Sequence, residues 1–229
     1  MLQMTRASLI CTEPPHALAS LRRSFDAHHA VRLPGFLDAD LVSEAHRAIR
    51  QAIFHDHDDG GIAREKRMSD DALLALMRLI MNDGRLFELI RGISGCGPIT
   101  YLDGRVYAFH SGSNHGDSWH SDASGDRQVG ISINLSEGEF EGGIFELRHV
   151  ASDAVEWSIA NTVPGDAIVF RINEDLCHRV MAVTGSVPRV VYAGWFQGGP
   201  DLLTVLKRAG GSAEDAHRRL QYTDQVPTT

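Results

Sequence analysis

The chain has 229 residues, 43% hydrophobic and 23% charged, which is the balance of an ordinary globular protein with ample apolar sequence for a core. A net charge of −8 argues against nucleic acid as the main partner, and no stretch approaches the roughly 20 apolar residues of a membrane helix. Cys11, Cys96 and Cys177 are too few for a disulfide framework and fit a reducing compartment; with no apolar leader after Arg6, the expected location is cytoplasmic.

Residues 1–17 read as poorly structured, because Pro14 and Pro15 end any early element. Ala17 to His28 reads as a short helix. Residues 30–33 alternate into Pro34-Gly35, a strand and a turn. Asp38 or Asp40 caps a helix running to about His55, with Leu41, Ala45, Ala48 and Ile49 on one face. The run from His55 to Gly61 is a polar loop. A second helical region starts at Asp70 or Asp71, is interrupted at Asn82-Asp83-Gly84, and resumes from Leu86 to Ile93 before Gly95 and Gly97 close it. From Pro98 the texture changes to short β-rich runs: 99–109, the segment through 119–122, 129–135, 143–150, 154–160, 166–171, 176–183 and 189–196. Eight such strands are the number of a jelly roll. Residues 201–220 read as one or two helices broken at Gly210-Gly211. No repeat or linker divides the chain, so it reads as a single domain, 1–229: a mostly helical buttress (1–97), a β core (98–198) and a helical tail (199–229).

Three His-x-Asp pairs occur: His57/Asp59, His115/Asp117 and His120/Asp122. The third has the best context, following Trp119 and standing a six-residue turn before the apolar run Val129 to Leu135. In a strand, residues two apart leave the same face, so an imidazole and a carboxylate can reach one metal ion together. His178, within Leu176-Cys177-His178-Arg179-Val180, is the best third ligand. Two His and one carboxylate with open positions form the facial triad of non-haem Fe(II) oxygenases. Arg189 follows His178 by 11 residues, past the turn Thr184 to Pro188. Read as a hairpin, this puts Arg189 on the order of 10 Å from the residue facing His178. A five-carbon dicarboxylate chelating the metal would then reach the Arg189 fork with its far end.

From Tyr101 to Phe196 the chain resembles the Fe(II)/2-oxoglutarate-dependent oxygenase family, nearest to its prolyl-4-hydroxylase-like branch. The matching pieces, in order, are Tyr107, His120-Ser121-Asp122, Ile133-Asn134-Leu135, Gly142-Gly143-Ile144-Phe145, Gly165 to Phe170, His178-Arg179-Val180, and Arg189 leading to Trp195-Phe196. The resemblance implies a double-stranded β-helix core with helices packed on one sheet, mainly β with α. It implies Fe(II) on His120, Asp122 and His178, and Arg189 with Tyr107 binding the distal carboxylate of 2-oxoglutarate. Val191 stands where the family often has Ser or Thr, which removes a hydroxyl and leaves Tyr107 or another polar group to replace it. Asp122 stands where halogenating members carry a small residue, which points to hydroxylation or a related oxidation.

The implied function is oxidation of a C–H bond of a small metabolite or amino-acid-derived substrate, with 2-oxoglutarate and O2 consumed and succinate and CO2 released. The expected partner is a small molecule, with no nucleic acid and no membrane. Loops 110–119, 60–68, 137–141 and 172–177 are the candidates for specificity. Trp195 and Phe140 serve either substrate contact or core packing. Cys177 reads as a small buried residue. Two alternatives are a cupin-type metal enzyme that does not use 2-oxoglutarate, against which Arg189 counts, and a non-catalytic barrel, against which a complete triad counts.

Overall fold

The computed structural model describes residues 1–69, 72–113 and 115–210. The expected helix start at Asp70 or Asp71, and the tail beyond Gly210, lie outside the described residues.

The N-terminus is ordered where the sequence predicts little structure. Strands β1 (Leu2–Met4) and β2 (Leu9–Cys11) pair as a hairpin. Leu2, Met4 and Leu9 are buried, and the Met4 backbone bonds to Phe36 and Asp38. Pro15 opens helix α1 (Pro15–His28), since the first helical turn has no use for the missing N–H. After β3 (Ala30–Leu33), Asp38 caps α2 (Ala39–Gln51) by accepting from the Leu41 N–H at 2.8 Å. This helix ends at Gln51, short of His55. The polar run beyond it is a strand, β4 (Phe54–Asp58), paired antiparallel with β5 (Ala63–Met68). An edge strand needs few apolar residues, and the cross-strand ion pairs Asp56–Lys66 and Asp58–Arg64 match charge to register. Helices α3 (Ala72–Met81) and α4 (Gly84–Ser94) follow; Asp83 caps the second, and Gly95 closes it at φ 67°.

The β region comprises β6 (Tyr101–Phe109), β7 (Gly116–Asp117), β8 (Arg127–Asn134), β9 (Phe145–His149), β10 (Trp157–Ile159), β11 (Ala167–Arg171), β12 (Leu176–Val180) and β13 (Arg189–Gln197), followed by α5 (Leu202–Gly210). The larger sheet runs β3-β11-β8-β13-β6-β5-β4, with β7 joined to β5. The smaller runs β10-β9-β12. These curled antiparallel sheets form the expected jelly roll. The expected hairpin between 176–183 and 189–196 is absent: β12 pairs with β9, whereas β13 lies between β6 and β8. The chain crosses from one sheet to the other between them, held by the Thr184 N–H to Glu141 carbonyl bond and the Gly142–Val183 bridge.

Side-chain alternation divides the core in two. One face of the larger sheet sends Val106, Ile131, Val169, Val190 and Tyr192 into a cluster with the helices. The other sends Tyr107, Phe109, Phe170 and Val191 into the space between the sheets, against Phe145, Leu147 and Val180. A buried carboxylate ties β3 to this frame. Asp166 is 2% exposed, accepts from Arg32 Nε at 2.8 Å and from the Gly35 N–H at 2.7 Å, and pairs with a second Arg32 nitrogen. Asp166→Ala strands that N–H, while the half-exposed Arg32 rehydrates, so the expected loss is about 2–3 kcal/mol. Urea unfolding measures it; a change below about 0.5 kcal/mol would mean the contact carries no stability.

Candidate metal centre

His178 lies on β12, 8% exposed, with its ring 4.7 Å from that of Phe170 and 5.4 Å from that of Phe145. His120 is not in a regular strand. It forms an isolated bridge with His178, exchanging both backbone hydrogen bonds (3.0 and 2.9 Å), which sets the two rings 4.3 Å apart. Asp122 sits in irregular chain, so the shared strand face expected for His120 and Asp122 is not what brings them together. Trp195 orients the carboxylate: its indole Nε1–H donates to Asp122 Oδ2 at 2.7 Å. Arg127 Nη1 stands 3.8 Å from Oδ1. The guanidinium groups of Arg127 and Arg105 lie 4.0 and 4.9 Å from the Trp195 ring centroid.

The three donors converge. His120 Nε2 is 3.8 Å from Asp122 Oδ1, and His178 Nε2 is 3.7 Å from Oδ2. All the ligand atoms lie within 4.8 Å of one another, the one such group among the described residues. Separations of this size are too long for hydrogen bonds, but donors at about 2.0–2.2 Å from one shared ion stand roughly 3–4 Å apart. His120 Nδ1 is 2.8 Å from the Ser118 carbonyl, which assigns the proton to Nδ1 and the lone pair to Nε2, facing the site. Burial, and then the neighbouring His120, lower His178 to about 4, so it is neutral and able to ligate at neutral pH. The donor set, with the His120 tautomer, fits a divalent iron.

Arg189 opens β13, 3% exposed. Its two terminal nitrogens donate to Tyr107 Oη at 3.2 Å and Ser132 Oγ at 3.3 Å. It forms no ion pair with a carboxylate among the described residues. Burial pushes Tyr107 up to about 12, so its hydroxyl stays protonated and, while accepting from Arg189, keeps its own proton to donate. Ser132 is the hydroxyl that the sequence reading missed. It lies on β8 in register with Ala193, within an inward face of small and polar residues, Gly130, Ser132 and Asn134. Val191, 1% exposed, is core. Gly143, at φ 59°, passes so close to Arg189 that a Cβ would lie 2.8 Å from its Cδ.

Tyr107, Ser132, Trp195 and the three converging residues line one cavity of about 260 Å³. Of the expected specificity loops, 60–68 and 110–119 contribute Ile62, Ala63 and Asp117 to it; 137–141 and 172–177 contribute nothing. Phe140 is core, 4% exposed, and Cys177 is buried as expected. His115 stands outside the cluster, its Nδ1 accepting from the His110 N–H at 3.0 Å. His57 lies on the exposed hairpin. Burial pushes the Asp117 carboxyl up to about 6.

The fold is a jelly roll, and two histidines and a carboxylate converge within it as a candidate iron site. Residues 96–197 match the family model of the 2OG-Fe(II) oxygenase superfamily. The matched stretch is a 2OG-Fe(II) oxygenase domain, the kind found in oxidoreductases that use Fe(II), 2-oxoglutarate and O2. A prolyl-4-hydroxylase from Pseudomonas putida superposes with a TM-score of 0.60 over 80% of this chain and 99% of its own, at 20% identity. The non-heme alpha ketoglutarate dependent epimerase SnoN from nogalamycin biosynthesis gives 0.59 over 80% and 84%, at 18% identity. A Trichoplax adhaerens prolyl hydroxylase, in complex with a hypoxia inducible factor peptide fragment, gives 0.60 over 81% and 94%, at 16% identity. At these identities the structures establish the fold. No curated protein matches the chain in sequence. Among the described residues no helix is long and apolar enough to cross a membrane.

Two tests follow from the site. Trp195→Phe keeps the ring and removes the donor to Asp122; losses of this kind typically cost 10–100-fold in metal affinity, read by Fe(II) or Co(II) titration. Unchanged affinity would show that Asp122 needs no support. The second concerns Asp117. A carboxyl raised from 3.8 to about 6 in the fold penalises the folded state as pH climbs through that window, and the penalty is absent below it. Asp117→Asn is therefore expected to stabilise the protein by on the order of 2 kcal/mol at pH 8 and by far less at pH 4. Equal urea midpoint shifts at both pH values would refute the raised carboxyl.

Proposed function

We propose that the protein is a cytoplasmic Fe(II)- and 2-oxoglutarate-dependent oxygenase that hydroxylates a C–H bond of a small-molecule substrate. His120, Asp122 and His178 are its iron ligands. Arg189, with Tyr107 and Ser132, clamps the far carboxylate of 2-oxoglutarate. The observation that carries this reading is a buried guanidinium with no protein carboxylate, whose two hydroxyl partners line the cavity holding the triad. A cupin-type enzyme without 2-oxoglutarate has no need of that charge.

When bound, iron and 2-oxoglutarate supply the oxidising chemistry, and 2-oxoglutarate is consumed to succinate and CO2. The chain's own residues bind, orient and exclude. Arg189 offers a planar fork to a carboxylate, and Tyr107 has its hydroxyl proton to add. Trp195 occupies Asp122 Oδ2 and leaves Oδ1 to face the ligand position. Phe145 and Phe170 line the cavity and offer it an apolar wall. Asp122 fills, with a carboxylate, the place that a halogenating relative keeps small, which supports hydroxylation.

Anaerobic addition of Fe(II) and 2-oxoglutarate is expected to give a weak visible charge-transfer band, and O2 is expected to release succinate. Leaving a buried carboxylate without its partner costs roughly 3–5 kcal/mol, about two to three decades in affinity. Arg189→Ala should raise the 2-oxoglutarate requirement by that factor and leave Fe(II) binding near the wild-type value. Lys at this position restores only part, having no bidentate fork. If Arg189→Ala turns over at wild-type 2-oxoglutarate concentrations, the clamp assignment fails.

A further inference from the structure

Asp117 is the charged group of the cavity that the proposed chemistry does not use. Its carboxylate lines the same space as the triad, and it has no hydrogen bond or ion pair with any described residue. The other charges there are matched or hydrated. Arg105 is bonded to Glu65 at 3.1 Å, and Arg127 lies beside Asp122 and over Trp195. Asp59 is exposed at the rim.

The backbone around Asp117 is fixed. It pairs with Ala63 across β5 and β7, and the next N–H, of Ser118, donates to the Ile62 carbonyl at 2.8 Å. The part-buried side chain is therefore carried on the cavity wall. An ionised group kept there without a partner is costly. The guanidinium groups of Arg189 and Arg105 act on Asp117 through space, but neither comes within ion-pairing distance. In the loaded site the Arg189 guanidinium faces the cosubstrate carboxylate, which takes it from Asp117.

What is missing is a cation with N–H donors. A hydroxyl would satisfy one lone pair and leave the charge. Ile62 and Val180 line the cavity with Asp117 and offer apolar wall for an alkyl chain. We infer that this site selects substrates carrying an ammonium or similar small nitrogen cation, and that Asp117 is the residue that receives it. The inference rests on the proposed function and assigns the substrate class for the same site.

The test uses n-butylammonium chloride and its uncharged counterpart n-butanol, at matched ionic strength and pH 7.5, added to the anaerobic protein loaded with Fe(II) and 2-oxoglutarate. The readout is the shift of the charge-transfer band, which reports binding without turnover. Butylammonium is expected to shift the wild-type band at concentrations at least tenfold below those at which butanol does. Asp117→Asn is expected to form the same band and to lose that tenfold preference. Equal responses to amine and alcohol, silence to both, or a preference kept in Asp117→Asn would overturn the assignment. The wild-type comparison stands even if the variant folds poorly. Failure of the wild-type band to appear at all would overturn the proposed function, and the substrate class with it.

Discussion

A guanidinium sealed between two sheets with only hydroxyls for partners is the constraint around which this interior is built. Desolvating a charge of that size costs several kcal/mol, and two neutral hydroxyls return a fraction of it. The fold is able to match buried charge where it needs to. Glu65, with its side chain fully buried, meets Arg67 at 2.8 Å and Arg105 at 3.1 Å. Among the described residues Arg189 has no such carboxylate, and Asp117 has no such cation. Under the proposed function both would receive charges that arrive with ligands, and the protein carries the cost of these groups in the free state.

Strand β13 shows how that cost is localised. Arg189, Val191, Ala193 and Trp195 share the face turned toward the second sheet, while Val190, Tyr192 and Phe196 pack under the helices. One end of the strand thus supplies the buried Arg189 with its two hydroxyl partners. The other end, six residues or roughly 20 Å further along, supplies the indole that holds Asp122. A slip of one residue would turn both outward and bury the wrong set. The strand sits between β6 and β8 over nearly its whole length, so its register is pinned from both sides, and with it the placement of Arg189 relative to the indole that holds Asp122.

The sequence was informative wherever period and cap chemistry act locally. Asp38, Asp83 and Gly95 mark helix ends as residues of their type do, and the change of texture at Pro98 is the boundary between helices and sheets. His120, Asp122 and His178 were recognisable as a set from their order and spacing. Their route together was not. A bridge between residues 120 and 178 replaces the local strand that spacing implied, and β13 pairs with strands far back in the chain rather than with its immediate predecessor. Long-range pairing leaves little trace in a local window. Polar edge strands such as β4 leave none in hydrophobic period, because only their ladder bonds and cross-strand charges hold them. Ser132 did leave a signal. Val129, Ile131 and Ile133 alternate with Gly130, Ser132 and Asn134, which marks one face of that strand as too small and polar to be core.

That division also explains how the protein tolerates an under-satisfied site. The helix-facing cluster contains Met4, Met77, Leu86, Ile90 and Phe196, each 1% exposed or less, and holds much of the fold's burial. The opposite face gives up volume: Gly130 lies where a Cβ would meet the Phe170 ring at 2.1 Å, and Ser132 and Ala193 border the cavity. Filling that face with larger apolar groups would close the cavity beside His120, Asp122 and His178. Dispersion and burial on one side of each strand therefore offset the desolvation accepted on the other. Adjacent residues of the same strand answer to different demands: Tyr192 to packing, Ala193 to the room a substrate needs.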